Sequence, residues 1–460
     1  MLRFDRSLIA IAVLWLAVNI TSLWYPTPDG CGYLSIAHSL AESGKLKNLG
    51  STHVYYPLGY PVFLSPLFLL DQEPFLLISF THFLLALGIL RLVYVWVNRI
   101  APGHAAWVCL LTVGTASFGN LYRRTLGETL FMLLWLGGGF AFDRLSRAGR
   151  GYFSSAALLS FLVLVRPAGA MLAGGFAVVL FITGLREVLT WRSVVLRSLV
   201  VLPAVIMQLT IMWYDRATAA VEGHPTYSQQ FRDPTLSPAE QLVEGVRLRM
   251  QEAGRLLLPG MYKSYAKPGE WLNPNTILYV PLAIALLLGW WRQVARHREV
   301  LLWALPFYIA LYVIWPFDQS TRFFMPMMPV FAVCLIALGR DNDNLARRIG
   351  ITITILHFGV AVGHWLLSER PTAQQLDRSV PELRQIVERI PPNERSTVAA
   401  AESLGDDVIW LQFLLDREVV ILKTTTEPQK VTQWLVLSAT DPISPDWVEV
   451  QIGRYRLLRR

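Results

Sequence analysis

The stretch PFLLISFTHFLLALGILRLVYVWV, residues 74–97, carries one formal charge, Arg91, and one histidine, His82. As a helix it exceeds the about 20 residues needed to cross the roughly 30 Å hydrocarbon core of a bilayer. Ten further apolar segments share its character: 7–24, 104–119, 126–142, 153–166, 168–185, 193–213, 276–291, 299–315, 323–338 and 349–368. Their recurrence predicts a polytopic α-helical membrane protein with about 11 transmembrane helices. Several segments fall short of about 20 residues, so loop ends must join their helices or the bilayer must thin locally.

The whole composition agrees. Of 460 residues, 53% are hydrophobic and 16% charged, against roughly 25% charged in soluble globular proteins. Mean hydropathy is +0.41. An ordinary soluble enzyme, a disordered chain and a collagen-like fold are excluded. The 41 Lys and Arg against 33 Asp and Glu leave a net charge of +8, which would suit nucleic acid only if gathered on one folded surface. It is instead spread over the connecting loops, so no nucleic-acid partner is expected.

The arginines set the orientation, because Lys and Arg of short loops stay on the cytoplasmic side. Arg3 and Arg6, Arg99, the trio Arg144, Arg147 and Arg150, then Arg186, Arg192 and Arg197, then Arg292, Arg296 and Arg298, and finally Arg340, Arg347 and Arg348 share one face if the N-terminus is inside. Residues 153–185 run between two such loops and therefore cross an even number of times, turning at Arg166-Pro167. The opposite face receives loops 25–73, 120–125 and 214–275 and the tail from 369. The 214–275 loop mixes Arg247, Arg249 and Arg255 with Glu240, Glu244 and Glu252, a balance unlike a nucleic-acid patch. The first span has no small-residue cleavage site after it and ends in Trp24-Tyr25, so it is expected to be a signal anchor within the inner membrane. Cys31, Cys109 and Cys334 lie too far apart for a disulfide framework or a metal spacing.

After residue 369 the pattern changes. Strand-like runs at Ser396–Ala401, Glu418–Leu422, Trp434–Ser438 and Trp447–Ile452 predict a small α/β domain, 369–460, outside the membrane, beside a membrane domain spanning 1–368.

Four places hold the polar chemistry. Asp29 heads an amphipathic surface helix that runs to Ser43; on the residues alone, capping that helix outweighs catalysis. The stretch YYPLGYPVFLSPLF, residues 55–68, leads into a second interfacial helix, with His53 just before it. Glu128 opens the fourth span beside Arg123 and Arg124, and an ionisable residue at that depth needs either a local arginine partner or a function. Arg322 and Arg166 each stand at an outer mouth of a proline-marked span. Singly, such arginines snorkel to the interface; converging, they would suit a phosphate-bearing lipid, since guanidinium grips phosphate oxygens in a fork.

The order of these motifs, Asp29 heading a surface helix, then YYPLGYPVFLSPLF, then GETLF at 127–131, RPAG at 166–169 and RFFMPMMPV at 322–330, resembles the C-type glycosyltransferase superfamily. Within it the chain is similar to bacterial relatives of protein mannosyltransferases and of the lipid A aminoarabinose transferase. The resemblance covers 1–368 and implies transfer of a sugar from a polyprenyl-phosphate-linked donor at the outer membrane surface. It places the loop-one carboxylate on Asp29, a second acidic position on Glu128, and the arginine before the late proline-rich span on Arg322, with Arg166 where a lysine is frequent. Gly30 stands where a second acidic residue is often found, which weakens the case for direct metal coordination, so no cofactor is expected and a divalent metal stays open. On this reading Asp29 and Glu128 are catalytic, Arg123, Arg124, Arg166 and Arg322 bind the donor phosphate, and His53, Tyr55 and Tyr56 contact sugar or acceptor. The acceptor is a glycolipid, polysaccharide or protein. A single displacement with Asp29 as base would invert the anomeric carbon.

Two other classes compete. A lipid-linked sugar flippase would place ionisable groups in mid-span and show internal repeats, whereas His82, Arg91, His357 and His364 all lie near enough to span ends to snorkel. A noncatalytic scaffold would make Asp29 and Glu128 dispensable. Nucleotide-binding and zinc-protease motifs are missing, and Gly137-Gly138-Gly139 lies inside a span, where close helix packing explains it.

Overall fold

The computed structural model describes the chain apart from residues 1, 53–55, 188–189, 223–225, 227–228, 230, 234, 259–273, 316, 319–320, 340–341, 392–396, 423–431, 440, 442–447 and 460. Its helices are α1 (Leu2–Val18), α2 (Pro28–Ser43), α3 (Gly59–Phe68), α4 (Phe75–Ile100), α5 (Ala105–Val113), α6 (Ala116–Arg123), α7 (Glu128–Ala148), α8 (Tyr152–Val165), α9 (Met171–Glu187), α10 (Trp191–Ser198), α11 (Leu202–Glu222), α12 (Pro238–Leu257), α13 (Pro274–Val294), α14 (Val300–Ile314), α15 (Met328–Leu338), α16 (Asp343–His364), α17 (Arg370–Arg389) and α18 (Asp407–Leu415). Each apolar segment of the sequence meets a helix.

Among the described residues, four helical stretches are long and apolar enough to cross a membrane: Phe75–Ile100, Pro167–Arg186, Trp191–Ala220 and Asp343–Arg389. A fifth is the α5–α6 pair, bent by 56°. That bend has a local cause: Gly114 ends α5, and the Thr115 hydroxyl accepts the Phe118 N–H to start α6 anew. The shorter apolar helices α8, α14 and α15 stop or start at Arg166 and at the 315–324 segment. They are short because the chain turns there to build a polar site.

The bundle's two ends differ. At one, side chains tie the arginine-rich segments together: Arg347 to Asp5 at 2.8 Å, Arg147 to Glu299 at 2.7 Å, Arg99 to Asp143 at 2.9 Å. This gathering is what a common face for those loops requires. At the other end lie α2, α3 and a five-stranded sheet of β1 (Thr397–Ala401), β2 (Val419–Leu422), β3 (Thr432–Ser438), β4 (Val448–Ile452) and β5 (Tyr455–Arg459), in the order β2-β1-β3-β5-β4. β2, β1 and β3 run parallel; β5 and β4 add antiparallel. Four strands overlap the strand-like runs of the sequence. β5 did not stand out because Arg456 and Arg459 interrupt its apolar run, and the Gly453-Arg454 turn leaves it little room after β4.

The sheet is anchored to the bundle. Trp24 stacks on Phe75 at 5.3 Å and meets Trp410 of α18 edge-on at 4.8 Å, while Ser35 of α2 donates to Asp416 at 2.6 Å. A continuous helical path leads out of the bundle towards the sheet: α16 continues through a π-turn at Trp365–Glu369 into α17.

One expectation changes. His82 and His357 do not snorkel: both are buried, His82 between the Tyr60 hydroxyl and the Tyr122 carbonyl, each at 2.7 Å, and His357 on the Leu257 carbonyl at 3.1 Å. At His82 both polar edges of the buried imidazole find partners, which lets it stay there. The 214–275 loop, whose charges form a balanced mix in the sequence, holds several of them in the interior. Arg247, Arg249, Glu252 and Arg255 are buried on α12, which packs against α13 and α14.

Candidate active site

The site begins at the head of α2. Thr27 accepts the Gly30 N–H at 3.0 Å and Pro28 fills the first helical position, so the cap is Thr27, not Asp29. Relieved of capping, the Asp29 carboxylate pairs with Arg322. Glu128, the first residue of α7, is buried and accepts from the same guanidinium, Arg322 binding Glu128 through Nε and Asp29 through Nη1.

Arg166 closes the cluster. Pro167 forces the residue before it into an extended conformation, φ −155° and ψ 131°, which ends α8 and turns the arginine inward. Its Nη2 lies 2.9 Å from Glu128, its guanidinium sits over Phe323 at 5.0 Å, and its buried Nη1 has no acceptor among the described residues. Arg322 is held from both sides: Thr321 donates to Ser117 at 2.7 Å, and Tyr308 donates to the Phe323 carbonyl at 2.6 Å.

Two guanidinium and two carboxylate groups thus share one neutral cluster. Burial lowers the Arg322 pKa, but the carboxylates of Glu128 and Asp29 more than offset this and hold it above the usual arginine value. Burial raises the Tyr33 hydroxyl well above its ordinary range, so it stands beside the cluster as a neutral group. Both carboxylates face Arg322, so a guanidinium stands where a divalent cation would need to bridge them; this donor set does not fit a metal. Among the described residues no three His, Cys, Asp or Glu side chains gather elsewhere to hold one.

A cavity of about 260 Å³ opens on this cluster, lined by Asp29, Tyr33, Tyr56, Arg166, Tyr312 and Arg322 among others. It adjoins a second of about 480 Å³, mostly apolar, with which it shares Tyr56, Pro57, Pro167, Phe231 and Leu311. A charged chamber therefore continues into an apolar groove along α8 and α11.

Sequence reading named Asp29, Glu128, Arg166 and Arg322 from four distant segments, and the structure brings them together; Tyr56 lines the same cavity. Arg123 is elsewhere. Its guanidinium is buried against Asn19 at 2.9 Å and Glu369, because the end of α6 faces α1 and the π-turn. Neither Arg123 nor Arg124 is Glu128's partner: Arg124 lies beside Asp406 at the foot of α18, where burial raises and Arg124 lowers that carboxyl's pKa. His53 and Tyr55 lie outside the described residues. Tyr33, Phe231 and Tyr312 were missed; nothing in their local sequence marks them apart from other membrane aromatics. Thr27 was legible in principle, as a threonine followed by proline at a helix start.

No protein-family model matches the chain, and no curated protein matches it. Solved structures do. ArnT from Cupriavidus metallidurans bound to undecaprenyl phosphate, a lipid A aminoarabinose transferase, aligns with TM-score 0.61 at 13% identity over 99% of this chain and 97% of that one. The archaeal oligosaccharyltransferase AglB from Archaeoglobus fulgidus, in complex with an inhibitory peptide and a dolichol-phosphate, aligns with TM-score 0.54 at 13% identity over 95% of this chain and 69% of that one. Both are C-type glycosyltransferases, and the chain has their fold.

Proposed function

We propose that this chain, with a C-type glycosyltransferase fold, moves a sugar from a polyprenyl-phosphate-linked donor to a lipid, polysaccharide or protein acceptor at the outer face of the cytoplasmic membrane, inverting the anomeric carbon. The observation that carries this reading is the cluster of Asp29, Glu128, Arg166 and Arg322 on a chamber that continues into an apolar groove. An isoprenoid tail suits the groove, and its phosphate then meets the two arginines. The lipid phosphates bound by the ArnT and AglB structures support the same donor class. The gathering of arginine-rich segments at the far end supports a cytoplasmic N-terminus.

The residues divide the work as follows. Glu128 is buried and holds both guanidinium groups in place. Asp29, at the rim, shares Arg322 only until a phosphate arrives to compete for it. As Arg322 turns to the phosphate, the Asp29 carboxylate is released toward the acceptor hydroxyl. The acceptor oxygen then bonds to the anomeric carbon, its proton passes to Asp29, and the bond from that carbon to the phosphate oxygen breaks. Polyprenyl phosphate leaves with one more negative charge, which Arg166 and Arg322 stabilise where it develops. The groove supplies the proximity by holding the donor's tail.

The test is mass spectrometry of membrane glycolipids and surface glycans from host cells lacking the chain, complemented with wild type or Asp29→Asn at matched membrane abundance. Loss of one defined sugar, restored by wild type and not by Asp29→Asn, is the expected result. Full restoration by Asp29→Asn removes the proposed base and favours a flippase or a scaffold.

A further inference from the structure

Among the described residues from Trp315 to Phe324 none lies in a helix or strand, and Arg322 sits in a turn there, yet a phosphate-binding arginine must be held to a fraction of an ångström. Thr321 and Phe323 are fixed by Ser117 and Tyr308. The other half of the segment is fixed by α12, which lies in the loop that the sequence offers as surface. Gln241 donates to the Ile314 carbonyl at 2.7 Å, Arg249 donates to the Phe317 carbonyl at 2.8 Å, and Arg255 donates to the Asp318 carboxylate at 2.8 Å. With Gly245, these residues fall at helical spacing on one stripe of α12.

Two further features mark the contact as built. Gly245 lies so close to the Val313 carbonyl that a Cβ there has no space, so α12 rests directly on the last turn of α14, which leads into the segment. All three gripping side chains are buried, including two guanidinium groups. Burying a guanidinium costs several kcal/mol unless it is paired, and a surface loop has no need of it. Phe231, which precedes α12, lines both the chamber and the groove and packs edge-on against Trp315 at 4.8 Å. The segment that contacts the lipid path is therefore continuous with the helix that holds the arginine.

We infer that α12 is a splint for the phosphate-binding arginine: Gln241, Arg249 and Arg255 are positioning residues that set Arg322 for the donor's phosphate without touching the donor. This rests on the donor reading given above. It assigns the large loop a role inside the reaction, distinct from recognition of the acceptor.

The experiment compares undecaprenyl phosphate with undecaprenol, which share a tail and differ only in the phosphate, by native mass spectrometry of the full chain in detergent. Wild type is expected to prefer the phosphate. Arg249→Gln and Arg255→Gln are expected to lose roughly tenfold or more of that preference, as a displaced binding group does, while undecaprenol binding stays at the wild-type level. Asp318→Asn, which breaks the same pair from its more exposed side, serves should either buried variant fail to fold. Combining Arg255→Asp with Asp318→Arg is expected to restore the preference, which a loss through general loosening would not allow. Wild-type preference in Arg249→Gln, Arg255→Gln or the Asp318→Asn substitute overturns the splint. A wild type that binds both lipids equally instead overturns the donor reading, and the splint with it.

Discussion

The molecule carries two clusters of the same composition, two arginines with two carboxylates, at its opposite ends. At the sheet-bearing end are Arg166, Arg322, Asp29 and Glu128; at the other are Arg99, Arg147, Asp143 and Glu299. Their exposure differs. In the far cluster the carboxylates are buried and the arginine side chains are 35% and 45% exposed. Asp143 there also accepts the Val300 N–H at 2.9 Å, so that cluster fastens α4, α7 and the start of α14. In the site cluster the arginines are 11% and 18% exposed, while Asp29 is 37% exposed. An arginine that reaches solvent with its carboxylate beneath it is an anchor. One held inside a chamber, with a carboxylate at the rim that is able to leave, is a receptor for an anion.

The difference can be broken most forcefully at Arg322. Arg322→Gln is expected to reduce sugar transfer by at least about a hundredfold, the scale of losing one preorganised group that stabilises developing charge, while the protein still extracts folded because Arg166 keeps the buried Glu128 paired. Its counterpart is Glu299→Gln. That change leaves Arg99 and Arg147 without their shared carboxylate and is expected to cost about 1–3 kcal/mol in stability, less than for a fully buried pair because both arginines see solvent. Transfer per folded molecule should be unchanged, measured by glycan mass spectrometry against thermal unfolding of the same preparations. Equal loss of transfer in both variants erases the distinction between anchor and receptor.

Arg123→Gln sharpens the comparison in a smaller way. It leaves the buried Glu369 without its guanidinium and should lower the unfolding temperature. The preference for undecaprenyl phosphate over undecaprenol should survive. Loss of that preference in a stable Arg123→Gln protein returns Arg123 to the donor site.

The contrast also shows what the sequence could reveal. Apolar runs marked the helices because burial in lipid is read residue by residue, and short strand-like runs marked four strands for the same local reason. Asp29, Glu128, Arg166 and Arg322 were visible because polar residues at the mouths of apolar spans are costly and few. Their pairing was not visible. Glu128 lies four and five residues from Arg124 and Arg123, yet it binds arginines 38 and 194 positions away, since which face of a helix looks into the bundle depends on tertiary packing. The burial of α12 escaped notice for the opposite reason: in the sequence it is only a balanced mix of charges in an outer loop, and only its packing against α13 and α14 shows that they grip another segment. The aromatic lining escaped because tyrosine and phenylalanine serve bilayer and binding site alike.

The smallest effect separates two neighbours on one helical turn. Thr27 satisfies the Gly30 N–H, so Thr27→Ala is expected to cost about 1 kcal/mol of stability, the usual worth of an N-cap, and Thr27→Ser to cost little. Asp29→Ala removes no cap. It leaves Arg322 still paired with Glu128, and the partly exposed bond it deletes is worth about 1 kcal/mol at most. The two variants should therefore differ little in unfolding and greatly in transfer, which Thr27→Ala retains and Asp29→Ala loses. Thermal unfolding and glycan analysis on the same membranes read both quantities. If Thr27→Ala abolishes transfer as completely as Asp29→Ala while remaining folded, then the orientation of α2 rather than the carboxylate is what the reaction needs, and Asp29 returns to being part of a helix end.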